Sequence, residues 1–210
     1  MRIPAVLFLF THQFFASQNR FALPSGTVEL SSAFLHLREL QLNKTLLTWI
    51  DFAEYLLPDL PKLTSVELGY NRLHNLSDET TQLKPPTTDT KLSTINFDGN
   101  NLNNWSEICS SLAKYPTCVL LSCPMARPNF ISVHSVDHLV LSLNSIETIP
   151  PLSKSEEGAD DAPASGGLAH IKSLSLSSNN LRSWADIDAL ADHCPILEIL
   201  NTAGNPIVEG

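Results

Sequence analysis

This chain has little of what several protein classes require. Its 210 residues include 4 cysteines, too few for the dense disulfide framework that holds small secreted domains together. Its 13 lysine and arginine residues are outnumbered by 22 aspartate and glutamate residues, and the net charge is −9. Because nucleic acids and anionic membranes attract basic surfaces, this balance argues against both as partners. A membrane-spanning helix needs about 18 consecutive apolar residues, and no apolar run in this chain is that long.

Sequence motifs of catalysis are also missing. The chain has no G-x-S-x-G nucleophile elbow, no glycine-rich phosphate loop and no H-E-x-x-H zinc motif. Its 7 histidines are scattered, without acidic residues at a regular spacing from them. We therefore expect a protein that is not an enzyme and that needs no cofactor.

One segment comes near to a zinc-binding pattern. Cys118 and Cys123 are followed by His134 and His138, at a spacing close to that of a two-cysteine, two-histidine site. Two prolines fall where the hairpin and the helix of such a site would have to form. Cys118 and His138 also fit positions of the repeat described next, so we predict no metal site here.

A repeated pattern decides the fold. The template L-x-x-L-x-L-x-x-N-x-L fits the chain six times, with other apolar residues or threonine at single positions. The six matches begin at Leu37, Leu63, Leu92, Val136, Ile171 and Leu197. The asparagine position of the template is occupied in turn by Thr45, Asn71, Asn100, Asn144, Asn179 and Asn205.

This template is typical of leucine-rich repeats and predicts an α/β solenoid. The L-x-L centre forms a short strand whose alternate side chains enter the core. Because the strands of successive repeats lie side by side, we expect six parallel strands on the concave face. Helices or extended turns then form the convex face. The asparagine turns inward, where its amide satisfies buried backbone groups of the adjacent loops.

A second level of order alternates along the repeats. The first, third and fifth repeats carry Trp49, Trp105 and Trp184, each followed two residues later by an acidic residue. Amphipathic stretches follow, and they predict convex-side helices at residues 54–60, 108–115 and 187–193. Repeats without tryptophan predict extended returns. We expect the three indole rings to pack in the convex-side core, with a role in partner binding as the alternative.

Insertions interrupt the regular spacing. Residues 77–91 are rich in threonine and proline and predict a loop, and residues 153–167 predict a flexible acidic linker. Residues 119–136 interrupt the fourth repeat, because joining Cys118 directly to Asp137 restores the template. We interpret this segment as an insertion foreign to the repeat, and an intron translated in frame is one hypothesis for its origin.

The first template match is preceded by 36 residues. Arg2 and the apolar stretch 3–10 loosely resemble a secretory signal, but Pro4 opens the stretch and no A-x-A cleavage pattern follows it. We interpret residues 1–36 as an apolar leader with no role in the fold, and a signal peptide stays the alternative. Residues 37–210 are assigned to one leucine-rich-repeat domain of about six repeats.

The outward-facing strand positions predict the binding surface, because solenoids bind partners on their concave face. They are polar to acidic in the first three strands, and small and uncharged in the last three. A solvated face without a partner is the alternative. The candidate protein-binding residues are Glu39, Gln41, Glu67, Thr94, Asn96, Asp98, His138, Val140, Ser173, Ser175 and Asn201.

The tryptophan repeats resemble a known family. The resemblance is carried by residues 101–108, NLNNWSEI, by residues 180–187, NLRSWADI, and by residues 40–45, LQLNKT. These segments are similar to the repeat region of tubulin-folding cofactor E, and the similarity extends over about residues 37–210. It implies a cytoplasmic chaperone that binds α-tubulin and helps to assemble or take apart the αβ-tubulin heterodimer, without covalent chemistry. We expect the chain to act as a monomer.

The resemblance covers the repeat region only. Family members carry an N-terminal CAP-Gly domain with a G-K-N-D-G signature and a C-terminal ubiquitin-like domain, and neither is found in these 210 residues. Full chaperone activity therefore does not follow from the match. Two alternatives stay open: a generic intracellular repeat adaptor of the phosphatase-regulatory or spliceosomal type, and a secreted repeat protein. The secreted class normally carries cysteine-rich caps, which do not flank this array.

The linker generates a first prediction. Deleting residues 153–167 should change the melting temperature by less than about 2 °C, because the segment has almost no apolar side chain to bury. Thermal unfolding followed by circular dichroism measures the change. A loss of several degrees would contradict the assignment of this segment as a linker.

Overall fold

The computed structural model describes residues 12–20, 34–76, 92–113, 136–152 and 168–207. Within them, seven short strands lie in chain order in one parallel sheet. The strands are β1 (Gln13–Phe15), β2 (Glu39–Gln41), β3 (Ser65–Glu67), β4 (Thr94–Asn96), β5 (His138–Val140), β6 (Ser173–Ser175) and β7 (Ile199–Asn201). This architecture confirms the predicted leucine-rich-repeat solenoid.

The strands are aligned in step across the sheet. Leu40 of β2 lies beside Val66 of β3, which in turn lies beside Ile95 of β4. The central residue of each strand from β2 to β6 is buried, while its two neighbours point to the opposite face of the sheet. One apolar core therefore runs behind the sheet along the repeats.

The sheet has one strand more than the six we predicted. Strand β1 lies in the segment interpreted as an apolar leader, and it pairs in parallel with β2. Ala16 is buried in the core, and the Asn19 side chain donates to the backbone carbonyl of Ala16 at 3.2 Å. The expectation that residues 1–36 have no role in the fold is therefore wrong for this strand and its loop.

A ladder of buried asparagines connects the repeats. The Asn100 amide nitrogen donates to the backbone carbonyls of Leu68 and Phe97, at 3.0 and 2.8 Å. The Asn100 amide oxygen accepts from the backbone N–H groups of Asn71 and Leu73, at 2.9 and 3.1 Å. Each amide thus ties its own loop to the preceding loop and satisfies buried backbone groups. Bonds to the preceding loop recur at Asn71, Asn144, Asn179 and Asn205.

The residue before each ladder position has a left-handed backbone conformation. Its φ angle ranges from 54° at Leu143 to 73° at Gly204. This turn ends the strand and lets the following side chain point into the core. At Gly99 an added Cβ would clash with the Tyr70 ring, so a larger residue here would require that ring to move.

Two of the three predicted convex-side helices are present, and each begins three residues earlier than expected, at the tryptophan itself. They are α1 (Trp105–Ala113) and α2 (Trp184–His193). Ser183 caps α2, because its side chain accepts from the N–H of Ala185 while Asp186 accepts from the N–H of Ser183. The described residues after β3, up to residue 76, and after β5, up to residue 152, contain no helix, as the prediction of extended returns requires for this part.

The first return differs from the expected regular helix. It consists of a π-helix, Asp51–Leu56, followed by a 3₁₀-helix, Leu57–Asp59. Pro58 lacks the N–H that an α-helix would bond to the carbonyl of Glu54. The π-helical pattern ends with the N–H of Leu57, which bonds to the carbonyl of Phe52, because the following Pro58 has no N–H to continue it.

Two of the three tryptophans pack in the core as expected. The rings of Trp49 and Phe97 meet edge-on with centroids 5.4 Å apart, and those of Trp105 and His193 with centroids 5.6 Å apart. Both covering rings come from later repeats. Trp184 is 66% exposed, so the expectation of core packing is wrong there. No later repeat within the described residues covers it.

The predicted insertions lie almost entirely outside the described residues, which omit 77–91, 119–135 and 153–167. Strand β5 follows the second of these segments, and its register with β4 is regular. The N–H groups of Asp137 and His138 both bond to the carbonyl of Ser93, as at the start of other strands. The repeat therefore resumes in step after the interruption.

The asparagine ladder can be tested at Asn100, which bonds to both its own loop and the preceding one. Asn100→Ala should lower the free energy of unfolding by about 2 kcal/mol, because two N–H groups in the interior lose their acceptor and two carbonyls each lose one of two donors. Urea unfolding of the full chain measures the loss. The neighbouring exposed Asn101→Ala is the control and should cost less than about 0.5 kcal/mol. Equal losses in the two variants would show that the ladder contributes nothing.

Candidate protein-binding face

The outward side chains of the strands form rows across the sheet. The first row contains Glu39, Thr94, His138 and Ser173. The second row contains Gln41, Glu67, Asn96, Val140, Ser175 and Asn201. Asp98 follows β4 by two residues and continues the same face into the loop. The structure thus places all the predicted residues on one surface, which we call the concave face, and their role in binding stays a prediction.

Strand β1 adds two residues that the sequence analysis missed. Gln13 opens the first row, and its side chain donates to the Glu39 carboxylate at 2.6 Å. Phe15 opens the second row and is 60% exposed. The signal that could have found them is the run from Phe14 to Phe21, F-F-A-S-Q-N-R-F, which matches the second half of the repeat template.

Amide side chains hold the carboxylates in the first half of the face. Glu67 accepts from the side chains of Gln41 and Asn43, at 3.3 and 2.7 Å. The Asn43 oxygen in turn accepts from the N–H of Gly69 at 2.6 Å. Within the described residues, no basic side chain forms an ion pair with Glu39 or Glu67. This half therefore presents ordered but uncompensated negative charge, which favours a partner surface with positive charge.

The environment of Asp98 on this face changes the pKa of its carboxyl group. Burial raises the pKa of the Asp98 carboxyl above its ordinary 3.8, and hydrogen bonds from the Gly99 backbone and the Tyr70 side chain offset this only in part. One carboxylate oxygen is buried without a hydrogen-bond partner. The ionised carboxylate is therefore less stable in the fold than in water.

The second half of the face is neutral and small. The hydroxyl groups of Ser142 and Ser175 are 2.8 Å apart and bond to each other. Val140 and Ser173 are half-buried, and Ile199 at the far end is 61% exposed. Because Ser173 and Ser175 have short side chains, a partner can approach the sheet closely over β6.

Groups outside the face offer little chemistry. Burial raises the pKa of the Cys109 and Cys194 thiols to about 12, so neither is a nucleophile at neutral pH. The described part of the chain holds no group of three or more metal-ligating side chains. Of the zinc-like pattern, Cys118, Cys123 and His134 lie outside the described residues, while His138 lies on the concave face. A helix long and apolar enough to cross a bilayer is likewise absent from the described residues.

Comparison with known proteins tests the resemblance to cofactor E. No family model matches the chain. Two mammalian proteins match it in sequence. Both are named tubulin-specific chaperone cofactor E-like protein, one from Rattus norvegicus and one from Homo sapiens, and each is 27% identical over 179 residues. The match covers 85% of this chain, and it confirms the resemblance of the repeat region to cofactor E proteins.

The chain spans about a third of the length of these relatives, 34% in each case. Among solved structures, an internalin from Listeria monocytogenes is similar over 85% of this chain and 45% of its own, with 18% identity and a TM-score of 0.39.

The shifted pKa of Asp98 predicts a pH-dependent stability. Asp98→Asn should raise the melting temperature at pH 7, because the partly buried charge of the parent chain destabilises the folded state at this pH. The gain should shrink as the pH falls through the raised pKa, and it should vanish below 3.8, where the carboxyl is neutral in both folded and unfolded chains. Melting curves from pH 7 to pH 3 follow the effect.

Glu147→Gln is the matched control for Asp98→Asn, because it removes the same charge from an exposed position on the convex-side return. An equal gain in both variants would assign the effect to net charge rather than to the burial of Asp98.

Proposed function

We propose that this chain is a protein-binding scaffold whose concave face binds α-tubulin, and that it acts as a monomeric cytoplasmic chaperone without covalent chemistry. The observation that carries the proposal is the continuous row of exposed and half-buried side chains that seven aligned strands present on one face. The solenoid supports a role in binding proteins, because its repeats build an extended concave surface. The names of the two relatives support tubulin as the partner.

The negative charge on the concave face favours binding to one part of α-tubulin. Glu39, Glu67 and Asp98 run diagonally across β2 to β4 and the loop after β4, without a lysine or arginine partner in the described residues. Tubulin tails are themselves acidic and would be repelled by these side chains. The folded body of α-tubulin is the better match, with a basic area against the acidic half and an uncharged area against the serine-rich half.

The concave assignment can be tested by charge reversal. A triple variant with Glu39→Lys, Glu67→Lys and Asp98→Lys should weaken capture of purified αβ-tubulin by at least about tenfold, because it replaces attraction by repulsion at the centre of the face. Surface-immobilised full chain and a tubulin titration give the apparent affinity. Circular dichroism of the variant checks that the solenoid is intact.

A second triple variant is the control, with Glu147→Lys, Asp188→Lys and Asp192→Lys. These carboxylates are exposed on the convex-side return and on α2, and the charge change is the same. Capture should change less than about twofold. If both triples weaken capture equally, bulk charge is responsible and the concave assignment fails. If the parent chain captures no tubulin, the generic repeat adaptor becomes the better proposal.

A further inference from the structure

The loops after β2 and β3 each contain two residues in the left-handed backbone conformation. They are Lys44 and Leu46 in the first loop and Tyr70 and Arg72 in the second, with φ angles from 58° to 63°. No other described repeat has a left-handed residue after its ladder position. Residues with a side chain rarely adopt this conformation, because it brings Cβ close to the backbone carbonyl. Four of them in two adjacent loops therefore indicate a specialised surface.

These four residues form one exposed surface, which we call the loop patch. Lys44 and Tyr70 occupy equivalent positions before the ladder residues of their repeats, and Leu46 and Arg72 occupy equivalent positions after them. Cations and apolar side chains thus alternate across the patch. The Lys44 ammonium lies 5.3 Å from the centroid of the Tyr70 ring, and the N–H of Leu46 donates to the side-chain oxygen of Asn71 at 2.8 Å. The two loops are therefore held together.

The loop patch carries positive charge that the fold does not compensate. Within the described residues, no carboxylate forms an ion pair with either of its two cations. The Asp98 carboxylate accepts a hydrogen bond from the Tyr70 side chain instead. The Asp51 carboxylate accepts from the N–H and the hydroxyl of Thr48, at 3.1 and 2.7 Å. The patch is therefore a positive surface on a chain whose net charge is −9.

A groove continues the loop patch between the first two repeats. Its volume is about 150 Å³, and its lining includes Leu46, Ile50 and Arg72. A space of this volume holds a group about the size of benzene. Leu46 and Arg72 thus border the groove as well as the patch, so an apolar side chain and a cation meet at the same opening. Leu46 is 45% exposed there, which leaves apolar surface for a ligand to cover.

We propose that the loop patch and its groove bind an acidic peptide segment of another protein, with carboxylates against Lys44 and Arg72 and one apolar side chain in the groove. Charge complementarity identifies this occupant, because unpaired cations attract carboxylates and arginine binds them with two parallel hydrogen bonds. A basic segment, which the acidic half of the concave face favours, is repelled here. Because the loops are already held in place, little order has to be gained on binding. The proposal goes beyond tubulin binding and does not rest on it.

A synthetic acidic peptide, with glutamates on both sides of a central leucine, is the probe. Its titration into the isotope-labelled full chain is followed by the NMR shifts of the backbone amides. We expect saturable shift changes at the loop patch and an affinity that falls with added salt. A second peptide has glycine in place of the leucine. It should bind at least about fivefold more weakly, because it leaves the groove empty.

Charge reversal tests the two cations. The double variant Lys44→Glu and Arg72→Glu should weaken peptide binding at least about tenfold, because repulsion replaces attraction. The matched control is Lys172→Glu with Arg182→Glu, since both residues are exposed in the fifth repeat and the charge change is the same. The control should change the affinity less than about twofold.

A second pair of variants tests the apolar contact. Leu46→Ser should weaken binding of the leucine peptide about fivefold, because the groove loses an apolar wall. Leu143→Ser is the control, since Leu143 is 48% exposed, has a left-handed φ of 54° and lies in the loop after β5. It should change binding less than about twofold. Unchanged amide shifts outside the substituted loop check that each variant is folded.

Several outcomes would overturn the proposal. The parent chain shows no saturable shifts at the loop patch, both charge reversals weaken binding equally, or the two peptides bind equally well. A further variant replaces residues 78–90, which lie outside the described residues, by a glycine–serine linker. It should bind the peptide as the parent does. A gain of more than about tenfold would make that segment of the chain itself the occupant of the groove.

Discussion

The repeats depend on the hydrogen bonds that satisfy the buried backbone N–H and carbonyl groups of their loops. Each turn after a strand runs against the core, where an unpaired N–H or carbonyl is costly. A single asparagine side chain solves this for two loops at once, since its amide both donates and accepts. Thr45 has only a hydroxyl at this position, which donates to the carbonyl of Leu42 in its own loop. The tie between β1 and β2 therefore rests on their backbone pairing and on contacts such as that between Gln13 and Glu39.

The concave face inherits its order from this ladder. Because the loops are held in step, the strands keep one register, and equivalent side chains fall into straight rows. Amide–carboxylate bonds such as that between Asn43 and Glu67 then fix the polar side chains on a rigid sheet. A partner meeting this face finds groups already oriented, so little side-chain entropy is lost on binding.

Sequence periodicity predicted the parallel sheet, the buried strand centres and the ladder, because each depends on residue types at fixed local spacing. It missed β1, since Thr11 stands where the template expects an apolar residue and Ala16 is small for its core position. It also missed the irregular first return, a π-helix followed by a 3₁₀-helix that contains Pro58. The burial of Trp49 and Trp105 depends on rings two repeats away, which no local pattern contains. Alternation identifies which strand residues face outward, but it carries no information on what they bind.

The strand register is kept across the segment that interrupts the repeat before β5, and this has an evolutionary consequence. Far more residues separate Asn100 from Asn144 than separate Asn179 from Asn205, yet β4 and β5 pair as regularly as β6 and β7. Segment length between ladder positions is therefore uncoupled from the geometry of the sheet. Sequence can be gained or lost between ladder positions while the rows of strand side chains keep their register, so the connecting segments and the strand face are free to diverge at different rates.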